Sequence, residues 1–236
     1  NKIGSMLFLV VLARLLGPKL FGTYSLTMSI AMFLIFLTDA GTFGGMIKQV
    51  SHHLRNGDYE TARSYVRYIL KLRLILVIIF SVLLLLLAEI LSKFIFKDPS
   101  LLVPLRVTIL FMIVFCNLDF LNSLFYGMQK FSYVTFKEII FQISRLGLLF
   151  GMFYIFSLTV VNAIIVSIIA IILISAILLY ILLKKFKPLL IGKTSAINKK
   201  DLIKLIIYFS LCSLSIVIFN YIVLFLIGYF LGSVFV

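Results

Sequence analysis

Charged residues are scarce in this sequence, and acidic residues are the scarcest. Only 13% of the 236 residues are charged, and Asp and Glu together number 8. Soluble domains carry about 25% charged and about 45–50% apolar residues because their surfaces face water. This chain has 63% hydrophobic residues and a mean hydropathy of +1.23, which is more apolar surface than water solvates. The composition excludes a soluble domain and predicts an integral membrane protein.

Cysteine is also rare. Cys116 and Cys212 lie in separate apolar runs, and the sequence has no CxxC pair. This spacing provides no disulfide framework, so we interpret both cysteines as small core residues. His52 and His53 are adjacent, so on a helix they point apart and make a poor metal site. We therefore expect neither a metal nor a cofactor.

Basic residues are plentiful by comparison, with 22 Lys and Arg and a net charge of +14. Most of them fall in the gaps between apolar runs, as membrane topology determinants do. A nucleic-acid interface needs a solvated basic surface with its own fold, and no gap is long enough to form one. We do not expect nucleic acid among the partners.

The apolar runs are spaced like membrane spans of about 20 residues each. They must be helices because the backbone finds no water to bond inside hydrocarbon. The predicted spans are 3–16, 24–46, 74–91, 107–126, 139–158, 160–183 and 205–231. The first run is short and the last reaches the final residues, so we expect a piece of a longer protein.

The gaps between spans predict the orientation. Lys and Arg are concentrated in the even-numbered gaps, which places these gaps and the amino terminus in the cytoplasm. In the second gap, which contains Arg73, Asp58 is expected to cap a helix whose Arg63, Arg67 and Lys71 form one stripe. That helix either rests on the anionic inner leaflet or extends the third span into solvent. The sixth gap, 184–204, reads as a basic linker.

Three ionisable residues stand out deep inside predicted spans: Asp39, Asp119 and Arg145. Each costs about 2.5–3.5 kcal/mol on insertion scales, so each requires a partner or a function. At about 1.5 Å per residue, all three lie about 10 Å from the cytoplasmic boundary. We predict that Arg145 pairs with one or both carboxylates. Such a layer is either a structural network or a cavity wall with an acidic group for proton or sodium coupling.

Other polar residues are spaced so that they lie on one face of a predicted helix. Gln142 shares a face with Arg145, and the seventh span carries Ser210, Ser213 and Asn220 on the side expected to meet the cavity or the first helices. Glu89 and Lys93 are spaced as a boundary pair on the third span. The sixth span is almost wholly Ile, Leu, Val and Ala, and we predict that it faces lipid.

Several motifs together carry a family resemblance. The first turn reads Ala-Arg-Leu-Leu-Gly-Pro over 13–18, followed by Phe21-Gly22 and Tyr24. Asp39-Ala40-Gly41 ends the second span with Lys48 following, a turn over 126–131 reads Tyr-Gly-Met-Gln-Lys-Phe, and Arg145 lies in the next span. This combination resembles the polysaccharide-export (Wzx-like) flippases of the multidrug/oligosaccharidyl-lipid/polysaccharide exporter superfamily.

The resemblance implies an all-α polytopic fold with two helical lobes around a central cavity. Residues 1–183 would form the first lobe, 184–204 the linker, and 205–236 the first, truncated helix of the second lobe. Such a protein moves a lipid-linked oligosaccharide across the plasma membrane by alternating access. The implied partners are that saccharide, membrane lipids and glycan-assembly proteins, and no catalytic activity is expected.

The resemblance also implies a cationic residue that receives the diphosphate of the carrier lipid, and Arg145, Lys48 and Arg14 are the candidates. A cation-coupled multidrug antiporter of the same superfamily is the nearest rival, because Asp39 and Asp119 would suit its cavity. A membrane-embedded glycan polymerase or glycosyltransferase is the rival from another class. It would need a cluster of carboxylates, histidines or a metal in an ordered loop.

Overall fold

The computed structural model describes residues 2–155 and 158–230, apart from the side chains of 2, 3, 155, 215–225 and 227–230. The long elements in these ranges are α1 (Lys2–Asp39), α2 (Thr42–Arg55), α3 (Tyr59–Ile90), α4 (Leu102–Gly127), α5 (Phe131–Ile155), α6 (Val160–Lys185) and α8 (Lys199–Phe230); α7 (Lys187–Leu190) is a single turn. No strand occurs within the described ranges. The long apolar stretches able to cross a membrane are Gly4–Asp39, Tyr59–Ile95, Pro99–Gly127 and Val160–Lys185. The predicted all-α polytopic membrane fold is confirmed.

Helix α1 consists of two antiparallel segments, 2–16 and 18–39. Gly17 between them has φ 75° and ψ 168°, and Pro18 follows. Phe8 and Tyr24 lie on either side of this break, and both contact Arg145. A straight helix at about 1.5 Å per residue would hold Phe8 and Tyr24 about 24 Å apart. The chain therefore reverses at Gly17, as the Gly-Pro pair predicts.

The second span ends earlier than predicted. Instead of continuing to residue 46, it stops at Asp39, and α2 starts as a separate helix at Thr42. Between them, Ala40 and Gly41 have φ values of 42° and 75°. Gly41 suits this left-handed conformation and a close contact with α8, because a Cβ there would lie 2.4 Å from the carbonyl oxygen of Ile206.

Helix α3 begins 15 residues before the predicted third span, at Tyr59 instead of residue 74. Asp58 caps it as predicted, since its side chain accepts a 3.0 Å hydrogen bond from the Thr61 amide. The buried positions repeat every three or four residues, and they include Ile69, Arg73 and Val77. Arg73 therefore lies inside a helix long and apolar enough to cross a membrane, and not in a gap before the third span.

Helix α4 is central and contacts α1, α2, α3 and α6. Close packing and interhelical polar contacts hold such a bundle together, because lipid tails are as apolar as the helices themselves. The prediction that the sixth span faces lipid is only half right. One face of α6, including Ala163, Ser167 and Ile171, is buried, while Ile172 and Leu173 on another face are exposed.

Two predicted surface features have different partners from those expected. Glu89 pairs with Arg106 at 3.0 Å rather than with Lys93. The buried Arg63 donates a 3.0 Å hydrogen bond from Nε to the Pro188 carbonyl, and Arg67 Nη2 donates to the Leu190 carbonyl at 3.1 Å. The arginine stripe of α3 thus holds the linker, which neither of its two sequence-based interpretations included.

Candidate functional cavity

A cavity of about 480 Å³ lies where α8 meets α1, α2 and α4. Its wall is mostly apolar, with Met32, Phe115 and Phe209 among the lining side chains. The carboxylates of Asp39 and Asp119 are its charged groups, and they come from the end of α1 and the middle of α4. The cavity therefore places two acidic groups where α8 meets α1, α2 and α4.

Arg73 neutralises part of the negative charge of Asp39 and Asp119 from the side of the carboxylates that faces away from the cavity. Its Nη2 forms an ion pair with Asp119 and lies 3.7 Å from Asp39 Oδ1. The Arg73 side chain is only 3% exposed, whereas those of Asp39 and Asp119 are 16% and 26% exposed. The carboxylates thus stand between the guanidinium and the cavity. With all three groups ionised, the cluster carries one excess negative charge.

Asp39 has a second role at the start of α2. Its Oδ1 accepts hydrogen bonds from the Thr42 hydroxyl at 2.8 Å and from the Phe43 amide at 2.9 Å. A carboxylate at this position satisfies a free amide and is attracted to the positive end of the helix dipole. Nearby, Thr38 Oγ1 and Cys116 Sγ are 3.1 Å apart and join α1 to α4. The break at Ala40 and Gly41 therefore fixes the position of the Asp39 carboxylate.

Arg145 does not pair with either carboxylate, so that prediction is wrong. Its Nη2 donates to the Tyr24 hydroxyl at 2.9 Å, and its Nε donates to Ser167 Oγ at 3.0 Å. Its guanidinium carbon also lies 3.5 Å from the centroid of the Phe8 ring. Helix α5 directs Arg145 toward α6 and the hairpin of α1, while Asp119 on α4 faces α3. Two side chains at the same depth in a membrane meet only if their helices are also rotated so that the side chains face each other.

The other predicted residues are scattered. Arg14 and Lys48 are exposed and do not line the cavity. Gln142 packs over Gly4, where an added Cβ would lie 2.9 Å from Gln142 Cγ. The side chain of Asn220 lies outside the described residues. Ser213 lines the cavity, so this face of α8 meets the cavity at that position.

Sequence reasoning missed Arg73, although a signal for it exists. Ser81 and Ala88 continue the buried face of α3 at intervals close to helical periodicity, and Ser92 continues it just past the end of the helix, while Leu74 and Ile78 are exposed outside it. Polar and small residues on one face of an otherwise apolar helix mark the face that packs against protein in a membrane. Extending this face backward along α3 leads to Arg73.

Comparison with known proteins identifies the family. A family model described as "Polysaccharide biosynthesis protein" matches residues 1–236. The chain belongs to this family. It is the family of the Wzx-like flippases, so the resemblance drawn from the motifs is confirmed. Together with its long apolar helices, membership identifies a multi-pass membrane protein of polysaccharide biosynthesis.

The comparison with curated proteins gives no match. A solved structure described as "protein A" is similar, with a TM-score of 0.56 and 17% sequence identity. The similarity covers 99% of this chain and 54% of that structure, so the chain spans about half the length of its structural relative. At this identity the likeness shows the fold alone.

Proposed function

We propose that this chain forms part of a flippase that carries a lipid-linked oligosaccharide from the inner to the outer leaflet of the plasma membrane. The observation that carries the proposal is the 480 Å³ cavity between the first-lobe helices and α8, with charged groups on an apolar wall. A sugar-phosphate head needs such a cavity to cross hydrocarbon while its lipid tail stays among the helices. Rocking of the two lobes would then give alternating access, with the amino terminus in the cytoplasm.

We assign the diphosphate to Arg145, which lies outside the lining of this cavity, at a separate position among α1, α5 and α6. Its contacts are a hydroxyl from Tyr24, a hydroxyl from Ser167 and aromatic rings, so its positive charge is not cancelled by any of them. Arg73, by contrast, is occupied by two carboxylates. A guanidinium matches phosphate oxygens with two parallel hydrogen bonds, which makes arginine suited to this ligand. Lys48 and Arg14 remain secondary candidates on the surface.

A cation-coupled antiporter of the same superfamily is the second candidate. The observation that favours it is the pair Asp39 and Asp119 on the cavity wall, with one arginine for two carboxylates. The excess negative charge would attract a proton, a sodium ion or a cationic drug. In a flippase the same pair would serve as the coupling site for an ion. Under the flippase proposal the partners are the lipid-linked saccharide, membrane lipids and glycan-assembly proteins.

The test uses the full-length protein returned to a host that lacks its gene. Lipid-linked oligosaccharides are labelled, and the leaflet that holds them is determined by their accessibility from outside intact cells. We expect the saccharide to accumulate on the cytoplasmic leaflet in the deletion strain and in Arg145→Ala. The wild-type protein and Arg106→Ala, a control at an exposed boundary arginine, should restore export. Normal export together with increased sensitivity to cationic drugs in the deletion strain would instead identify an antiporter.

A further inference from the structure

A second cavity, of about 520 Å³, lies at the end of the first lobe that is predicted to be cytoplasmic. Its walls come from the end of α2, the start of α3, the turn between α4 and α5, and the end of α6 with the start of the linker. The lining residues are Leu54, Tyr59, Met128, Lys130, Lys185, Phe186, Pro188 and Leu189. The cavity thus combines an apolar floor with two lysines and has no acidic residue in its lining.

The charged side chains that line this cavity, Lys130 and Lys185, are cationic. Lys185 donates a 3.1 Å hydrogen bond to the Tyr133 hydroxyl, which leaves its charge uncancelled by that contact. An adjoining cavity of about 360 Å³ shares Leu54 and Met128 with the first and adds Arg55. Of the acidic groups on neighbouring turns, Asp58 contacts His53 at 3.4 Å and caps α3, and Glu60 is exposed. The two cavities therefore form one region that attracts anions.

The floor of the larger cavity is held in place by buried contacts. Arg63, itself 5% exposed, donates from Nε to the Pro188 carbonyl, and Leu189 is 2% exposed. Phe186 packs edge-on against Phe125 and Tyr133, with centroid distances of 6.2 Å to each. These contacts join the linker to α3, α4 and α5. The cavity is therefore a defined feature of the fold.

The edge of the cavity has the character of a membrane interface. Tyr59 in its lining is 49% exposed, and Phe131, beside Lys130 in the chain, is 55% exposed. Aromatic and lysine side chains of this kind lie at the headgroup level of a bilayer. Basic pockets on the cytoplasmic side of membrane helices attract anionic headgroups. We infer that this cavity binds the phosphate headgroup of an anionic phospholipid of the inner leaflet, with Lys130 and Lys185 as its ligands.

The experiment measures retained lipid on the full-length protein. The protein is reconstituted in nanodiscs of phosphatidylcholine with a minor fraction of phosphatidylglycerol, released, and analysed by native mass spectrometry. We expect the variant with Lys130→Ala and Lys185→Ala to retain about thirtyfold less phosphatidylglycerol than wild type, because two lysines are removed and each contributes about 1 kcal/mol of attraction. The matched control carries Lys200→Ala and Lys204→Ala, which remove the same charge from exposed residues that do not line the cavity.

Equal retention by the cavity variant and the control variant would overturn the inference. A second outcome would also overturn it. If the wild-type protein in detergent binds labelled inorganic phosphate and the cavity variant does not, while both retain the same amount of lipid, the site takes free phosphate instead. A variant with Lys130→Arg and Lys185→Arg keeps both charges and should retain the lipid. The experiment measures lipid binding, so its result does not depend on whether the protein exports a saccharide.

Discussion

Arg73 and Arg145 lie on two long helices of the bundle, α3 and α5, but their surroundings differ in charge. Arg73 reaches two carboxylates, Asp119 and Asp39, and its side chain is almost fully buried. Arg145 reaches the hydroxyls of Tyr24 and Ser167 and the ring of Phe8. One arginine completes an ionic cluster behind a cavity wall, and the other is surrounded by neutral groups.

This difference separates two roles for a buried cation. An ionised group in a membrane interior is costly, and pairing with an opposite charge reduces that cost. Arg73 removes charge from the acidic wall and connects α3 to α1 and α4. Arg145 has neutral groups as its contacts, so its charge stays uncompensated there, as the phosphate-binding role proposed for it requires. The comparison can be tested by changing each region separately.

The largest effect is expected from Arg73→Ala. The substitution leaves Asp39 and Asp119 without their counter-charge, and removal of one partner from a buried ion pair costs about 3–5 kcal/mol. The free energy of unfolding of the purified protein in mixed detergent micelles measures this loss. Adding Asp39→Asn and Asp119→Asn should recover much of it, because no isolated charge is then left. An Arg73→Ala protein as stable as Arg106→Ala would show that the cluster is not a structural ion pair.

A smaller loss is expected from Gly41→Ala, which tests how α8 closes the cavity beside Asp39. The new methyl group would be forced into a left-handed conformation that costs about 1–2 kcal/mol, in addition to its clash with the Ile206 carbonyl. Thermal unfolding measures the effect. Gly147→Ala is the control, because a Cβ there has no neighbour within 4 Å. Equal unfolding temperatures for the two variants would contradict both the left-handed conformation of Gly41 and its packing against α8.

Arg145→Leu is expected to change stability less than Arg73→Ala, by no more than about 1–2 kcal/mol. The lost hydrogen bonds and cation–π contact are offset by removal of an uncompensated charge. Saccharide export should nevertheless fail. Unfolding and export are measured on the same variant, with Arg145→Lys as the charge-retaining control. Export at the wild-type level by Arg145→Leu would remove this residue from the transport site.

The smallest effect is expected for the exposed pair of Glu89 and Arg106, whose side chains are 52% and 50% exposed. Such surface pairs contribute about 0–1 kcal/mol and are screened by salt. Glu89→Gln should therefore leave the unfolding free energy almost unchanged at high ionic strength. A loss as large as that of Arg73→Ala would contradict the distinction between buried and exposed ion pairs in this protein.

Much of the helical framework is predictable from the sequence, because long apolar runs have few alternatives in a membrane. The reversal at Gly17 and Pro18 and the cap at Asp58 also follow from local chemistry. The break at Ala40 and Gly41 is harder to predict. The apolar run continues through it, and the close contact of Gly41 with Ile206 on a distant helix cannot be found from the local sequence.

The ionic cluster was predicted in part. Asp39 and Asp119 were identified as acidic groups at one depth, and the structure brings them to one guanidinium. The predicted partner of the two carboxylates, Arg145, is wrong because hydropathy locates the ends of membrane spans poorly. Arg73 lies just before the most apolar part of α3, so it falls outside the predicted span. Helix rotation decides which of two arginines at similar depth meets a carboxylate, and depth alone does not determine it.

The most direct test of this account is a pair of double-mutant cycles on unfolding free energy. One cycle combines Arg73→Ala with Asp119→Ala, and the other combines Arg145→Ala with Asp119→Ala. Contacting residues couple by about 0.5–3 kcal/mol, whereas distant residues add to within about 0.5 kcal/mol. We predict a coupling above about 1 kcal/mol for Arg73 and additivity for Arg145. Coupling of Asp119 to Arg145 and not to Arg73 would contradict the assignment of the two arginines.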